Sequence, residues 1–172
     1  MIKCYTLFYP AHDTSVIDEF QDQFFPLRSP LSPHIKILTH RKCIPNEVMV
    51  PCLEETVSNF QPFEIHVSEL DKFDKDGWLF LRVGKGRDRI VALQEALCKC
   101  IKEYMHPCER VEAKIPLGFF GRDRQARQWA YEEAVRRDFS FHANLDRITT
   151  VVYNPSTNKI LESQDFKLGM GP

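Results

Sequence analysis

Along all 172 residues, apolar side chains recur at a period of two, then at helical spacing, then at two again. Such switching restricts the chain to short strands alternating with amphipathic helices. Ile2, Cys4, Thr6 and Phe8 alternate with Lys3, Tyr5, Leu7 and Tyr9, the pattern of a strand covered on both faces. Asp13 or Thr14 can then cap a helix through Val16, Ile17, Phe20 and Phe24, ended by Pro26. Pro30 and Pro33 make a stiff, extended approach to a second strand, His34–His40. A helix capped by Asn46 follows, with Val48, Met49, Cys52, Leu53, Val57 and Phe60 on its apolar positions and Pro62 at its end.

The second half repeats the alternation. Phe63, Ile65, Val67 and Leu70 predict a strand paired as a hairpin with Trp78–Val83 across the turn Asp71–Gly77. Ile90, Leu93, Leu97, Ile101 and Tyr104 mark the longest helix, which stops before Pro107. Val111–Phe120 returns to strand spacing around Pro116, a residue that places a strand at an edge or a bulge. A charged helix, Asp123–Arg137, is expected to turn Trp129, Ala130, Ala134 and Val135 inward. Phe139–Tyr153 and Lys159–Leu168 flank an Asn-Pro-Ser-Thr-Asn turn and close the chain as a hairpin. The order implies one α+β domain of two packed lobes, 1–172, in which strand, helix, strand occurs once in each half.

The totals exclude several classes. With 23 basic against 24 acidic residues the net charge is -1, so no global field draws the chain to nucleic acid or anionic membrane, and any anion site must be local. Met1–Pro10 is too short and too polar for a signal peptide, and no run reaches membrane-spanning length, which points to a cytoplasmic protein. Cys4, Cys43, Cys52, Cys98, Cys100 and Cys108 form no metal-type pair and are expected as reduced, packed thiols. His34 and His40 share a face of a regular strand but stand about 20 Å apart, too far to share a metal. His12 and His106 are expected at exposed element ends and His66 on a strand face, so neither metal nor cofactor is expected. Gly84-Lys85-Gly86-Arg87 lacks the rest of a phosphate-loop pattern and reads as a turn before a helix.

Pro33-His34-Ile35-Lys36-Ile37-Leu38, Phe63-Glu64-Ile65-His66-Val67, Leu79-Phe80-Leu81-Arg82-Val83, Ile115-Pro116-Leu117-Gly118-Phe119-Phe120, Leu145-Asp146-Arg147-Ile148 and Phe166-Lys167-Leu168-Gly169 together resemble the two-histidine (2H) phosphoesterases. That family includes the 2′-5′ RNA ligase-like proteins and cyclic phosphodiesterases. The resemblance implies two antiparallel sheets flanking a central cleft, with helices outside and one motif strand on each wall. In the family each motif pairs a histidine with a hydroxyl two residues on. One imidazole takes a proton, the other gives one, and the hydroxyls hold phosphate oxygens.

His34 matches the first histidine, but Lys36 stands at its hydroxyl position, and the second motif aligns as Lys114 and Pro116. His142, with Asn144 two residues on, is the alternative second histidine. Lys114 lies 80 residues after His34 and His142 lies 108 after it; the shorter interval suits the intervening helix, hairpin and helix. Taken alone, Lys36 and Lys114 are ordinary solvated strand lysines. Placed by the resemblance they become phosphate-binding cations, with His34 as catalytic base and Lys114 or His142 as acid. An ammonium of ordinary pKa about 10.4 gives up a proton reluctantly near neutrality. The expectation is therefore a monomeric protein with a degenerate site, binding a phosphorylated small molecule or an RNA end with a cyclic phosphate. The runners-up are an active cyclic phosphodiesterase and a catalytically dead interaction module. The basic residues Arg122, Arg124, Arg127, Arg136 and Arg137 are read as a solvated helix face.

Overall fold

The computed structural model describes residues 2–11, 13–25, 30–40, 43–102 and 112–169. His12, Pro26, Tyr104, His106, Pro107, Cys108 and Val111 lie outside the described residues. Within them the chain forms β1 (Lys3–Phe8), α1 (Ser15–Phe24), β2 (Ile35–His40), α2 (Asn46–Ser58), β3 (Phe63–Leu70), β4 (Trp78–Val83), α3 (Arg87–Cys100), β5 (Lys114–Phe119), α4 (Arg124–Val135), β6 (Phe141–Leu145), β7 (Arg147–Asn154) and β8 (Lys159–Lys167).

Two antiparallel four-stranded sheets result, ordered β2-β1-β7-β8 and β5-β4-β3-β6. They flank a cleft, with the helices on the outside. Proline explains one edge: Pro116 has no N–H to give a second neighbour, and β5 is an outermost strand. The predicted hairpin β3–β4 forms. The turn before α3 also forms, with Gly86 at φ +85°, where an added Cβ would stand 2.6 Å from the Glu64 carbonyl oxygen. The stretch read as one strand from Phe139 to Tyr153 divides at Asp146, so β6 joins the second sheet and β7 the first.

Each half ends on an edge strand, β2 or β5, and these two strands lie against one another. Helices cross between the halves to seal this seam. Gln21 of α1 donates from Nε2 to the Pro116 carbonyl at 2.7 Å, and Gln94 of α3 donates to the Ile37 carbonyl at 3.2 Å. Both glutamines are buried. Each edge strand also carries one unpaired, bulged residue, Ile37 in β2 and Leu117 in β5. The two bulges stand 80 residues apart, the same interval that separates His34 from Lys114.

The bulge at Ile37 corrects one expectation. Residues beyond it reverse their facing, so Lys36 lies opposite Leu7 whereas His40 lies opposite Cys4, on the helix-covered side. His40 is buried there, its ring nitrogen Nε2 2.8 Å from the Thr6 hydroxyl, while Nδ1 has no partner. Burial pushes its pKa down to about 4.

The cysteines also depart from expectation. Cys4 is bonded to Cys43 and Cys52 to Cys100, with Cα atoms 5.4 and 5.8 Å apart. Pairing of β1 with β2 and packing of α2 on α3 bring these residues together from 39 and 48 positions away, which no local spacing announces. On α4 only Ala130 and Ala134 are buried; Trp129 and Val135 are 56% and 61% exposed. The small alanines set the helix close to the core. Trp129 instead lies edge-on to Phe24, with ring centroids 4.9 Å apart. No helix among the described residues is long and apolar enough to cross a membrane.

Two outcomes test this account. Gln21→Ala or Gln94→Ala strands a carbonyl at the seam and should lower stability by about 1–3 kcal/mol in urea denaturation; losses below a few tenths would show the seam to be held otherwise. His40 titrates near 4 when folded but near 6.5 when unfolded, so its contribution is present above about pH 6.5 and lost as pH falls toward 4. Denaturation from pH 7 to 4 should show about 3 kcal/mol of that loss disappear in His40→Leu, against an unchanged pH slope if His40 is not buried neutral.

Candidate functional site

Alternation along β1 and the register with β2 fix the cleft wall of the first sheet. Lys3, Tyr5, Leu7 and Tyr9 share one face, with Lys36 opposite Leu7 and His34 two residues before it on the same side. Leu7, Leu31, Val151 and Tyr153 form a small apolar floor here, flanked by Tyr5 and Tyr9 and separate from the main core. The main core lies on the other side of the sheet, where Phe8, Ile35, Ile37 and Leu38 meet the helices.

His34 is 8% exposed. Its Nδ1 lies 2.8 Å from the Ser32 carbonyl, and an acceptor there requires that Nδ1 carry the proton. The other nitrogen, Nε2, is left with its lone pair and has no hydrogen-bond partner among the described residues. The Tyr9 ring stands edge-on to the imidazole with centroids 6.0 Å apart. Burial, helped by the charge of Lys36, brings the His34 pKa down to about 4, so the ring is neutral near pH 7.

Lys36 is the anomalous cation of this wall. Its ammonium is half-buried and lies over the Tyr5 ring, 4.8 Å from the centroid, with no carboxylate partner among the described residues. Burial, and then the charge of Lys3, lower its pKa. A half-buried ammonium without a counter-charge is costly to keep and favourable to neutralise.

Lys114 opens β5 on the opposite wall. Its side chain faces the same way as Phe80 and Arg82, because Arg82 pairs with Lys114 and Phe80 with Pro116. The ammonium sits 3.7 Å from the Phe80 ring centroid and 3.1 Å from Glu112 Oε2. Its charge is therefore already half engaged. Arg82 is likewise held by Asp71 at 2.8 Å. Pro116, two residues on, offers neither a hydroxyl nor an N–H. Beside it Trp78, Phe80 and Phe119 form an aromatic patch, with Trp78 5.1 Å from Phe119 and 6.1 Å from Phe80 between centroids.

His142 is elsewhere. It lies on β6, three strands across the sheet from β5, which at strand spacing is about 14 Å away. There it stacks on His66 with centroids 4.1 Å apart and stands 3.4 Å from Glu64 Oε1. Thus the seam brings the strand of His34 and Lys36 beside that of Lys114, and leaves His142 on the far side of the second sheet. The sequence reading missed Lys3, Tyr5 and Tyr9 as cleft residues, although strict alternation in Lys3-Cys4-Tyr5-Thr6-Leu7-Phe8-Tyr9 placed them on one face. Among the described residues no group of three or more His, Cys, Asp or Glu is arranged to hold a metal.

The basic helix face is partly spent on internal contacts. Arg127 donates to the Gly121 carbonyl, Arg136 pairs with Glu133 at 2.7 Å, and Arg137 donates to Gln23 at 2.7 Å. A hollow of about 410 Å³ opens outside the cleft, on the helix side by the start of α2, lined in part by His40, Asn46 and Met49.

Known structures share this architecture. E. coli LigT complexed with NADP+ matches over 98% of this chain and 98% of its own, with a TM-score of 0.62 and 12% identity. A phosphoesterase crystal structure matches over 97% and 99%, at TM-score 0.61 and 9% identity. Kluyveromyces marxianus Usb1 with uridine monophosphate matches over 97% and 98%, at 0.50 and 8%. These likenesses show the fold. Comparison with curated protein sequences finds no match. The model of the 2′-5′ RNA ligase superfamily matches residues 8–157, most of the chain. By that match the protein belongs to the 2′-5′ RNA ligase superfamily, the 2H phosphoesterases.

Proposed function

We propose that the cleft binds a phosphorylated ligand, a nucleotide or an RNA end with a cyclic phosphate, and that its catalytic pair is degenerate. The observation that carries this is Lys36: a half-buried ammonium with no carboxylate partner among the described residues, two residues from an imidazole whose Nε2 is unpartnered there. A phosphate seated there takes the Lys36 charge, can donate a P–OH proton to the His34 Nε2 lone pair, and can recruit Lys114 across the seam. Family membership supports the ligand class, and the structural relatives include complexes with NADP+, 3′-AMP, ATP, uridine monophosphate and phosphate, all of them phosphorylated or phosphate itself. Degeneracy follows from Lys114 and Pro116 at the second motif. An ammonium is a poor proton donor at neutral pH, and Pro116 supplies no donor to a phosphate oxygen.

Isothermal titration with 3′-AMP and with a 2′,3′-cyclic nucleotide tests this reading. Lys36→Ala should weaken binding about tenfold or more, the cost of one charge-assisted contact. Lys114→Ala should cost less, because its ammonium must leave Glu112 before it can serve the ligand. Absence of binding to the wild type, or unchanged affinity in Lys36→Ala, overturns it.

The unpartnered Nε2 favours a second reading, residual hydrolysis of a cyclic phosphodiester. His34 would take the proton of the attacking water while the P–O bond to one ribose oxygen breaks, Lys114 protonating that oxygen. Turnover of a 2′,3′-cyclic nucleotide should then vanish in His34→Ala. Because the base form persists down to about pH 4, the rate should stay level from pH 7 to 5 and fall only near 4. A falling limb near pH 6.5 would contradict the buried, neutral imidazole, and no turnover in the wild type would leave binding as the sole activity.

A further inference from the structure

The first-sheet wall continues past Lys36. Lys3 stands on the same face at the other end of β1, four residues before Leu7, the residue opposite Lys36. Extended backbone puts those two positions about 13 Å apart, and Tyr5 lies between them. Lys3 has no carboxylate partner among the described residues, and neither the Tyr5 nor the Tyr9 hydroxyl has a hydrogen-bond partner there. Both phenols are held neutral: burial raises the Tyr5 pKa and takes that of Tyr9 to about 12, so each keeps its proton to donate.

Asp165, a carboxylate close enough to help raise the Tyr9 pKa, is already committed. It accepts from the Thr149 hydroxyl at 2.7 Å and stands 3.7 Å from Arg147 Nη1. Lys114 and Arg82 on the opposite wall differ from Lys3 and Lys36, since each has a carboxylate within 3.1 Å. In a chain of net charge -1, the unanswered donors Lys36, Tyr5 and Lys3 make a line longer than one phosphate can use.

We infer that Lys3, with the Tyr5 hydroxyl, forms a second anion subsite that receives a further phosphoryl group of the same ligand, so that the cleft prefers a nucleotide phosphorylated at two positions over one phosphorylated once. This rests on the reading of His34 and Lys36 as the first phosphate site. A ligand lying along β1 places one phosphate at His34 and Lys36, spans the Tyr5 ring, and ends its second phosphate at Lys3. The polarity follows from burial: the first site is recessed, and Lys3 is exposed at the rim.

Titration with 3′-AMP and with adenosine 3′,5′-bisphosphate tests the subsite. The bisphosphate should bind the wild type about tenfold more tightly, the effect of one added charge-assisted contact. Lys3→Ala should abolish that gain and leave 3′-AMP affinity unchanged, and it should reduce the salt slope for the bisphosphate by about one. Tyr5→Phe, which keeps the ring under Lys36 and removes only the hydroxyl, should lose part of the gain. Equal affinity for the two nucleotides, or equal loss for both in Lys3→Ala, overturns the second subsite while leaving the first standing. If neither nucleotide binds, the first phosphate site fails and the second falls with it.

Discussion

Edge strands carry a row of backbone groups that no neighbour satisfies, and this molecule sets two such edges against each other. What makes that tolerable is an exchange of side chains. Gln21 from the first half caps the Pro116 carbonyl of the second, and Gln94 from the second half caps the Ile37 carbonyl of the first. The two carbonyls flank the cleft, so the contacts that close the seam also hold the strands bearing His34, Lys36 and Lys114. A bulge at Ile37 and another at Leu117 bend both strands at equivalent points.

The walls of the cleft are electrically unequal. On the second sheet Arg82 and Lys114 are answered by Asp71 and Glu112, and the surface beside them is aromatic. On the first sheet Lys36 and Lys3 have only tyrosines and the recessed imidazole of His34 for company. Under the proposed reading a ligand puts its phosphates on the first wall, while the second wall offers ring faces and a cation that must first be released. Under the same reading Pro116, which has neither a hydroxyl nor an N–H, gives a phosphate oxygen no donor from that position of β5.

Local chemistry made the element order legible. Pro116 announced an edge strand, the spacing of Phe63, Ile65 and Val67 announced a hairpin partner, and Gly84-Lys85-Gly86 announced a helix start. Family resemblance placed His34 and Lys36 on one wall and two sheets around a cleft. What escaped were effects of long-range pairing. A single bulged residue turned His40 to the helix side, where Thr6 receives it, and no periodicity within His34–His40 shows that inserted residue. Cys4 and Cys43 meet only because β1 pairs with β2. Trp129 was expected on the inward face of its helix, but only Ala130 and Ala134 of that helix are buried, and Trp129 packs against Phe24 while staying largely exposed. Sequence interval favoured Lys114 over His142 without separating them in space, and strand order puts three strands' width between β5 and β6.

A crystal structure of the protein with 3′-AMP bound tests the central claim most directly. The phosphate should lie against β2 beside the seam, with oxygens at hydrogen-bond distance from His34 Nε2 and Lys36 Nζ. A nucleotide seated instead at the His66–His142 stack, or in the hollow at the start of α2, with His34 and Lys36 untouched, would contradict it.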